Sequence, residues 1–280
     1  MSTSADMTVE RREIVVDGIT LSYLHAGAGR PVLLVHGTFW SRVWEPVLPE
    51  LAAAGYAVFA LDFPGFGASG GRLTRDEATV PALARWARRF LDAVEVIGPM
   101  TVGGHDIGGA VAQHLATTDP SVERLILMNS VLSDSWPVPA VERFRDPAVA
   151  DAVTVPELLK ARAQSLAKAI SRPLDDAERS AWLAPWRDEQ RGAMAGAADA
   201  LHARSDPASA RARCPRWLVW GEDDKFQPVR FAERSRPRCP RHPHQAAGRP
   251  PQPDRRRAGP RRSGVDRLPR RLVGGFNLGP

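Results

Sequence analysis

Four apolar runs, each leading into a turn and then an amphipathic stretch, recur through the first half of the chain. They are Pro31-Val32-Leu33-Leu34-Val35, Tyr56-Ala57-Val58-Phe59-Ala60-Leu61, a run within Val96 to Val102, and Leu125-Ile126-Leu127-Met128. A continuous apolar run of this length fits a strand buried on both faces, as in a parallel sheet. Between them, residues 41–54, 79–94 and 107–118 carry helical apolar spacing. Strand and helix that alternate over short connections imply βαβ units, right-handed crossovers and a sheet covered on both sides. In such sheets the chemistry collects just past the carboxyl ends of the strands.

A hairpin precedes this series. Glu13-Ile14-Val15-Val16 and Ile19-Thr20-Leu21-Ser22-Tyr23 are joined at Asp17-Gly18, a strong two-residue turn signal. Residues 1–11 are expected to be a flexible N-terminus and 12–131 the first part of the α/β core. The alternation stops after that. Residues 132–212 are mostly helical by pattern and are punctuated by Pro137, Pro139, Pro147, Pro156 and Pro173, which suggests an inserted helical cap. Arg216-Trp217-Leu218-Val219-Trp220-Gly221 resumes the sheet, so residues 213–233 are the second part of the core.

Charge settles what the tail implies. The chain is +6 with a pI near 10.1, which invites a nucleic-acid reading. Residues 234–271, however, hold 13 Arg against 2 Asp, so the excess belongs to that segment and the rest of the chain is acidic. Residues 234–280 are rich in Arg and Pro, lack Lys and lose apolar periodicity until Leu272. Such a composition buries too little apolar surface to offset its ordering entropy, and the segment is expected to be poorly structured. It is also what a GC-rich gene yields when misread from about Ser235; resequencing codons 230–240 tests that origin. Without interleaved aromatics the tail carries no nucleic-acid module, and no nucleic-acid partner is expected.

The rest of the composition is ordinary for a soluble globular protein, with 43% hydrophobic and 25% charged residues. No run approaches the ~18 apolar residues of a membrane span, and the polar start at Met1–Glu10 has no apolar h-region. Cys214 and Cys239 are too few for a disulfide framework and have no metal-like spacing. These features fit a cytoplasmic protein with no membrane partner. Gly103-Gly104 with Gly108-Gly109 is not G-x-G-x-x-G, so no dinucleotide or other cofactor is implied, and oligomeric state is left open.

The strongest chemical motif is Gly104-His105-Asp106-Ile107-Gly108. A nucleophile shown at the top of a sheet must sit on a sharp strand-to-helix turn, and close approach of strand and helix requires small neighbours. An aspartate there, ionised at pH 7, attacks an sp3 carbon without a base and forms an alkyl-enzyme ester. Water and a base are needed only to hydrolyse that ester. The leaving group is then a halide or an epoxide oxygen. His36-Gly37-Thr38-Phe39-Trp40 ends another buried strand. The N–H of Thr38 or Phe39, with that of Ile107, is the expected oxyanion hole. In Glu222-Asp223-Asp224, Asp224 lies farthest past the strand and is the expected orienter of a histidine.

In order and spacing, His36-Gly37, Asp62-Phe63-Pro64-Gly65-Phe66-Gly67, Gly-His-Asp-Ile-Gly-Gly at 104–109 and Trp-Gly-Glu-Asp-Asp at 220–224 together resemble the α/β-hydrolase superfamily. The resemblance covers about residues 12–233. Aspartate at the elbow is similar to the haloalkane dehalogenase and epoxide hydrolase branch, which implies Asp106 as nucleophile, Asp224 as the acid and a small-molecule substrate. Three departures matter. Epoxide hydrolases of this branch use cap tyrosines, whereas Tyr23 and Tyr56 both lie outside the cap. Dehalogenases typically place Trp after the nucleophile and often Asn after the His-Gly, where this chain has Ile107 and Thr38. Halide or substrate contacts therefore fall to His36, Trp40, Trp136, Trp182 and Trp186. Finally, Gly248-Arg249 stands where the family has Gly-His, which leaves His242 and His244 as the nearest histidines. A hydrolase of carbon–halogen bonds is the leading expectation; an epoxide hydrolase and an impaired homologue without its base are the alternatives.

Overall fold

The computed structural model describes residues 8–74, 76–132, 135–136, 142–143, 146–170, 172–187 and 214–235. His242, His244 and the rest of the Arg/Pro-rich segment after Ser235 lie outside these residues. So do residues 188–213 of the expected cap.

Seven strands form one sheet in the order β1-β2-β4-β3-β5-β6-β7. They are β1 (Glu10–Val16), β2 (Ile19–Ala26), β3 (Arg30–Val35), β4 (Tyr56–Leu61), β5 (Met100–Asp106), β6 (Val122–Ser130) and β7 (Arg216–Val219). β1 and β2 form the hairpin, and β2 runs antiparallel to β4; every pairing from β4 to β7 is parallel. Asp17 and Gly18 take positive φ values of 49° and 78°, the pair of left-handed residues that a type I′ hairpin turn requires.

Helices α1 (Leu48–Ala53), α2 (Val80–Ala93) and α3 (Ile107–Thr118) connect the strands. Thr79 caps α2 by accepting from the Ala82 N–H, which sets its start. The single helix expected over 41–54 is broken in two. A 3-10 turn, Ser41–Trp44, precedes α1, because Pro46 has no N–H to continue the ladder and Pro49 suits a first helical turn. Between β6 and β7 the described elements are α4 (Pro147–Ala152), α5 (Val155–Ala169), α6 (Asp176–Leu183) and a 3-10 turn at Ala184–Trp186. A short α7 (Arg230–Arg234) follows β7. None of the described helices is long and apolar enough to cross a membrane.

Two apolar clusters lie within this arrangement. One holds Leu33, Val35, Phe63, Phe90, Val102 and Leu125; the other joins Leu34, Trp40, Trp44 and Val58 to Leu166, Trp182 and Trp186. The second cluster therefore packs the helices between β6 and β7 against the sheet's own residues. Trp40 adds a directional bond, its indole N–H donating to the Trp182 carbonyl at 3.2 Å.

The N-terminal boundary needs correcting. Glu10 and Arg11 were expected in a flexible leader, yet both belong to β1. Arg11 is fixed because its guanidinium reaches the fully buried Asp62 at 3.0 Å, and Asp62 also accepts from the Ser41 N–H at 2.7 Å and the Ala68 N–H at 3.2 Å. A carboxylate with no solvent contact must be paired and hydrogen-bonded, and this one ties β1 to the loops after β3 and β4.

Candidate active site

Register decides which residues meet. Val35 pairs with both Leu61 and Gly104, Met128 with Val219, and Asp106 with Ser130. The carboxyl ends of β3 to β7 therefore finish along one edge, and His36, Asp62, Asp106, Asn129 and Trp220 are the residues at those ends.

Asp106 ends β5 with φ 54° and ψ −125°, a conformation that L-residues adopt at a cost of about 1–3 kcal/mol. The surroundings enforce it. A Cβ added to Gly108 would run into the carbonyls of Val35 and His36, and one on Gly104 into the backbone of Gly108. Only bare backbone lets α3 start this close to β3 and β5. A Cβ on Gly37 would stand 2.5 Å from the Asp106 side chain, so the loop after β3 also closes against the carboxylate.

That closeness yields a specific contact. The Thr38 N–H donates to Asp106 Oδ2 at 2.9 Å, the donor position expected for an oxyanion hole. Ile107 is the first residue of α3, and amides of a first helical turn have no intrahelical acceptor. Phe39 contributes its ring, which meets Trp182 and Trp186 edge-on, each with centroids 5.7 Å away.

Asp224 lies in the loop after β7. Its Oδ1 accepts the N–H of Phe226 at 2.7 Å and of Gln227 at 2.8 Å. Its Oδ2 accepts from the Asn129 amide, whose oxygen accepts the Gly221 N–H at 3.2 Å. Asn129 is the last residue but one of β6, with φ 41°. Sequence reasoning missed it; the signal was a polar residue closing the apolar run Leu125–Met128.

Several expected contacts are redistributed. His36 is buried, but both ring nitrogens meet backbone: Nδ1 lies 2.8 Å from the Gly37 carbonyl and Nε2 accepts from the Phe63 N–H at 3.4 Å. It joins the loops after β3 and β4. Burial lowers its pKa, against the opposing pull of Asp62. The Trp40 indole N–H is already engaged by the Trp182 carbonyl. Trp182 and Trp186 gather with Phe39 beside the Thr38 loop, whereas Trp136 belongs to the other apolar cluster. His105, next to Asp106, packs edge-on against Trp44; burial lowers its pKa while Asp106 and Asp224 pull the other way.

A second missed residue is Arg162 on α5. It is 7% exposed, its guanidinium lies 5.6 Å from the Trp186 ring centre, and the Asp106 carboxylate acts on its charge. Its signal was an arginine on an apolar stripe, four residues from both Leu158 and Leu166.

No group of three or more His, Cys, Asp or Glu residues able to hold a metal ion occurs among the described residues.

Residues 30–247 match a family described as alpha/beta hydrolase fold. The chain is 34% identical over 91 residues to a haloalkane dehalogenase of Psychrobacter cryohalolentis, covering 32% of this chain and 30% of that one. It is 28% identical over 253 residues to a 2-hydroxy-6-oxo-6-(2'-aminophenyl)hexa-2,4-dienoic acid hydrolase of Metapseudomonas resinovorans, covering 83% and 81%. A solved alpha/beta hydrolase fold protein from Burkholderia ambifaria superposes with a TM-score of 0.70 at 26% identity, over 80% of this chain and 84% of that one. The chain spans less than half the length of the first four curated relatives it matches.

Proposed function

Because this chain belongs to the alpha/beta hydrolase fold family, we propose that it is a hydrolase whose nucleophile is the Asp106 carboxylate and whose substrate is a small molecule with a halide on sp3 carbon. One observation carries this reading: a carboxylate stands on the strained strand-to-helix turn, with Oδ2 held by the Thr38 N–H. In the first step Oδ1 attacks the carbon, a C–O bond forms, and the halide leaves with the electrons of the C–X bond. In the second, water adds to the ester carbonyl and gives its proton to a base. The Thr38 N–H already meets the oxygen that becomes the oxyanion, and the Ile107 N–H is its intended companion. Collapse restores Asp106 and releases an alcohol. Asp224, fixed by three donors, is the orienter of the base.

Two neighbouring readings are weaker. Epoxide opening needs a proton donor in the cap, and the chain's two tyrosines sit in β2 and at the start of β4. Hydrolysis of a dienoic acid, the activity in the name of the Metapseudomonas relative, is weaker for another reason: a hydrolase elbow ordinarily carries a serine, where this chain has Asp106. A reducing cytoplasmic setting fits the same proposal. Because Gly248-Arg249 replaces the family's Gly-His, ester hydrolysis is the slow step, as in a homologue without its base.

The test is intact mass after incubation with haloalkanes, haloacids and epoxides. An adduct of substrate minus halide should build up, map to Asp106 and vanish in Asp106→Ala. Catalytic product without any adduct would show that another group completes the second step. If neither an adduct nor a product forms, the proposal fails.

A further inference from the structure

Gln227 carries a polar group that the fold leaves unused. It lies in the loop after β7, three residues past Asp224. Its neighbour Phe226 turns outward and is 39% exposed, whereas Gln227 is 1% exposed. Neither Nε2 nor Oε1 of Gln227 has a hydrogen-bond partner among the described residues, and it is the one side chain among them with a buried donor and a buried acceptor both orphaned. An amide taken out of water without partners is strongly disfavoured, and buried polar groups of native proteins are nearly always paired. The loop is also pinned in place. The Gln227 N–H donates to Asp224 Oδ1 at 2.8 Å, the Gln227 carbonyl accepts from the Trp220 indole N–H at 2.6 Å, and Pro228 restricts the backbone before it.

This loop stands at the carboxyl end of β7, which pairs with β6, which pairs with β5. Two strand spacings amount to about 10 Å, a span that a small substrate reacting at Asp106 can cover. The loop is joined to the elbow by the Asn129 amide on Asp224, since Asn129 precedes Ser130, the register partner of Asp106.

We infer that the Gln227 amide receives a primary carboxamide of the substrate, so that the compounds turned over are halo-amides rather than plain haloalkanes. This assignment rests on Asp106 being the nucleophile.

The two orphaned atoms select that class. Nε2 needs an acceptor and Oε1 needs a donor. A carboxylate offers acceptors alone and an ammonium donors alone. A primary amide offers one of each at the spacing of the glutamine's own, so two parallel N–H···O bonds close between them. An anionic group would also meet the like charges of Asp224 and Asp106, which a neutral amide does not. The amide takes no part in the chemistry. Asp106 Oδ1 bonds to the sp3 carbon and halide leaves with the electrons of the C–X bond. Water later releases the hydroxy-amide, regenerates Asp106 and passes one proton to a base.

The experiment compares 5-bromopentanamide with 1-bromo-5-methylhexane, which share the reacting carbon, the leaving group and the overall shape. The rate of adduct formation at Asp106 is read by intact mass and peptide mapping, which separates it from alkylation of a cysteine. In Gln227→Met, which keeps the length and removes both polar atoms, the amide rate should fall about 10- to 100-fold, the worth of two hydrogen bonds. The hydrocarbon rate should hold, and the urea midpoint should not drop, because no internal hydrogen bond is lost. A retained hydrocarbon rate also shows that the variant is folded. If Gln227→Met does not fold, competition in the wild type decides: pentanamide should slow adduct formation from 1-bromo-5-methylhexane, and no slowing overturns the inference. An equal fall for both compounds, an unchanged ratio, or a lower midpoint with both rates unchanged overturns it too and leaves the Asp106 proposal standing. No adduct from either compound, or from any haloalkane in the panel, overturns both.

Discussion

Asp106 and Asp224 stand at the same edge of the sheet, yet their surroundings share little. The elbow around Asp106 is built by contact: bare glycine backbone on three sides, a residue forced to φ 54°, and one recorded donor, the Thr38 N–H. The loop around Asp224 is built by hydrogen bonds: two backbone amides on one oxygen and the Asn129 side chain on the other. A carboxylate whose lone pairs are filled by donors is a poor nucleophile but a firm anchor. One held by strain, with Oδ1 accepting no hydrogen bond among the described residues, fits the proposed nucleophile. On that proposal two identical side chains do different work because their surroundings differ.

This contrast makes unequal predictions for substitution. The largest effect should come from Gly108→Ala. Its Cβ meets two carbonyls of the adjoining strand end and loop, and backbone cannot swing aside as a side chain does. A loss of about 3 kcal/mol or more is expected, read as the urea midpoint. A change under about 0.5 kcal/mol would mean that the elbow is not sterically closed, and the comparison would break.

Asn129→Leu should cost less, about 2 kcal/mol by the same measurement. It keeps the shape, removes one donor from Asp224, and leaves the buried Gly221 N–H without its acceptor. A cost near zero would make the Asn129 bridge incidental. A cost matching Gly108→Ala would erase the distinction between a loop held by bonds and a turn held by contact.

These two sites also differ in how far the sequence disclosed them. The elbow is local: Gly104, Asp106 and Gly108 lie within five residues, so spacing alone carried strand, turn and helix. Asp224 was legible for the same reason, from its place past Gly221. Asn129 was not, because its partner is 95 residues away, beyond the helices that separate β6 from β7, and only the β6·β7 pairing brings them together. Arg11 and Asp62 were hidden likewise, which is why β1 looked shorter than it is. The tryptophans could be picked out but not assigned. Trp40, Trp182 and Trp186 converge near the Thr38 loop, while Trp136 packs in the other cluster, and nothing in their spacing separates them.

Acid should sharpen the comparison through a smaller effect. The elbow is flanked by His36 and His105, and of these two only His105 also feels the Asp224 charge. Burial lowers the pKa of both imidazoles, despite Asp62 and Asp106 near His36 and Asp106 and Asp224 near His105; His25 on β2 shifts the same way. In the unfolded chain each takes up a proton around 6.5. Just below that pH the unfolded state therefore binds more protons than the folded one, and stability rises with pH there. The contribution is complete above about pH 6.5 and is lost as pH falls towards the lowered folded values. Urea midpoints measured from pH 8 to pH 5 should hold steady and then decline. His36→Gln removes one titrating group, so its decline should be shallower by about one proton. If the variant's curve parallels the wild type, His36 carries a proton in the folded state. Its Nε2 would then be unable to accept from the Phe63 N–H, and the join between the loops after β3 and β4 would have to be made by Asp62 and its donors instead.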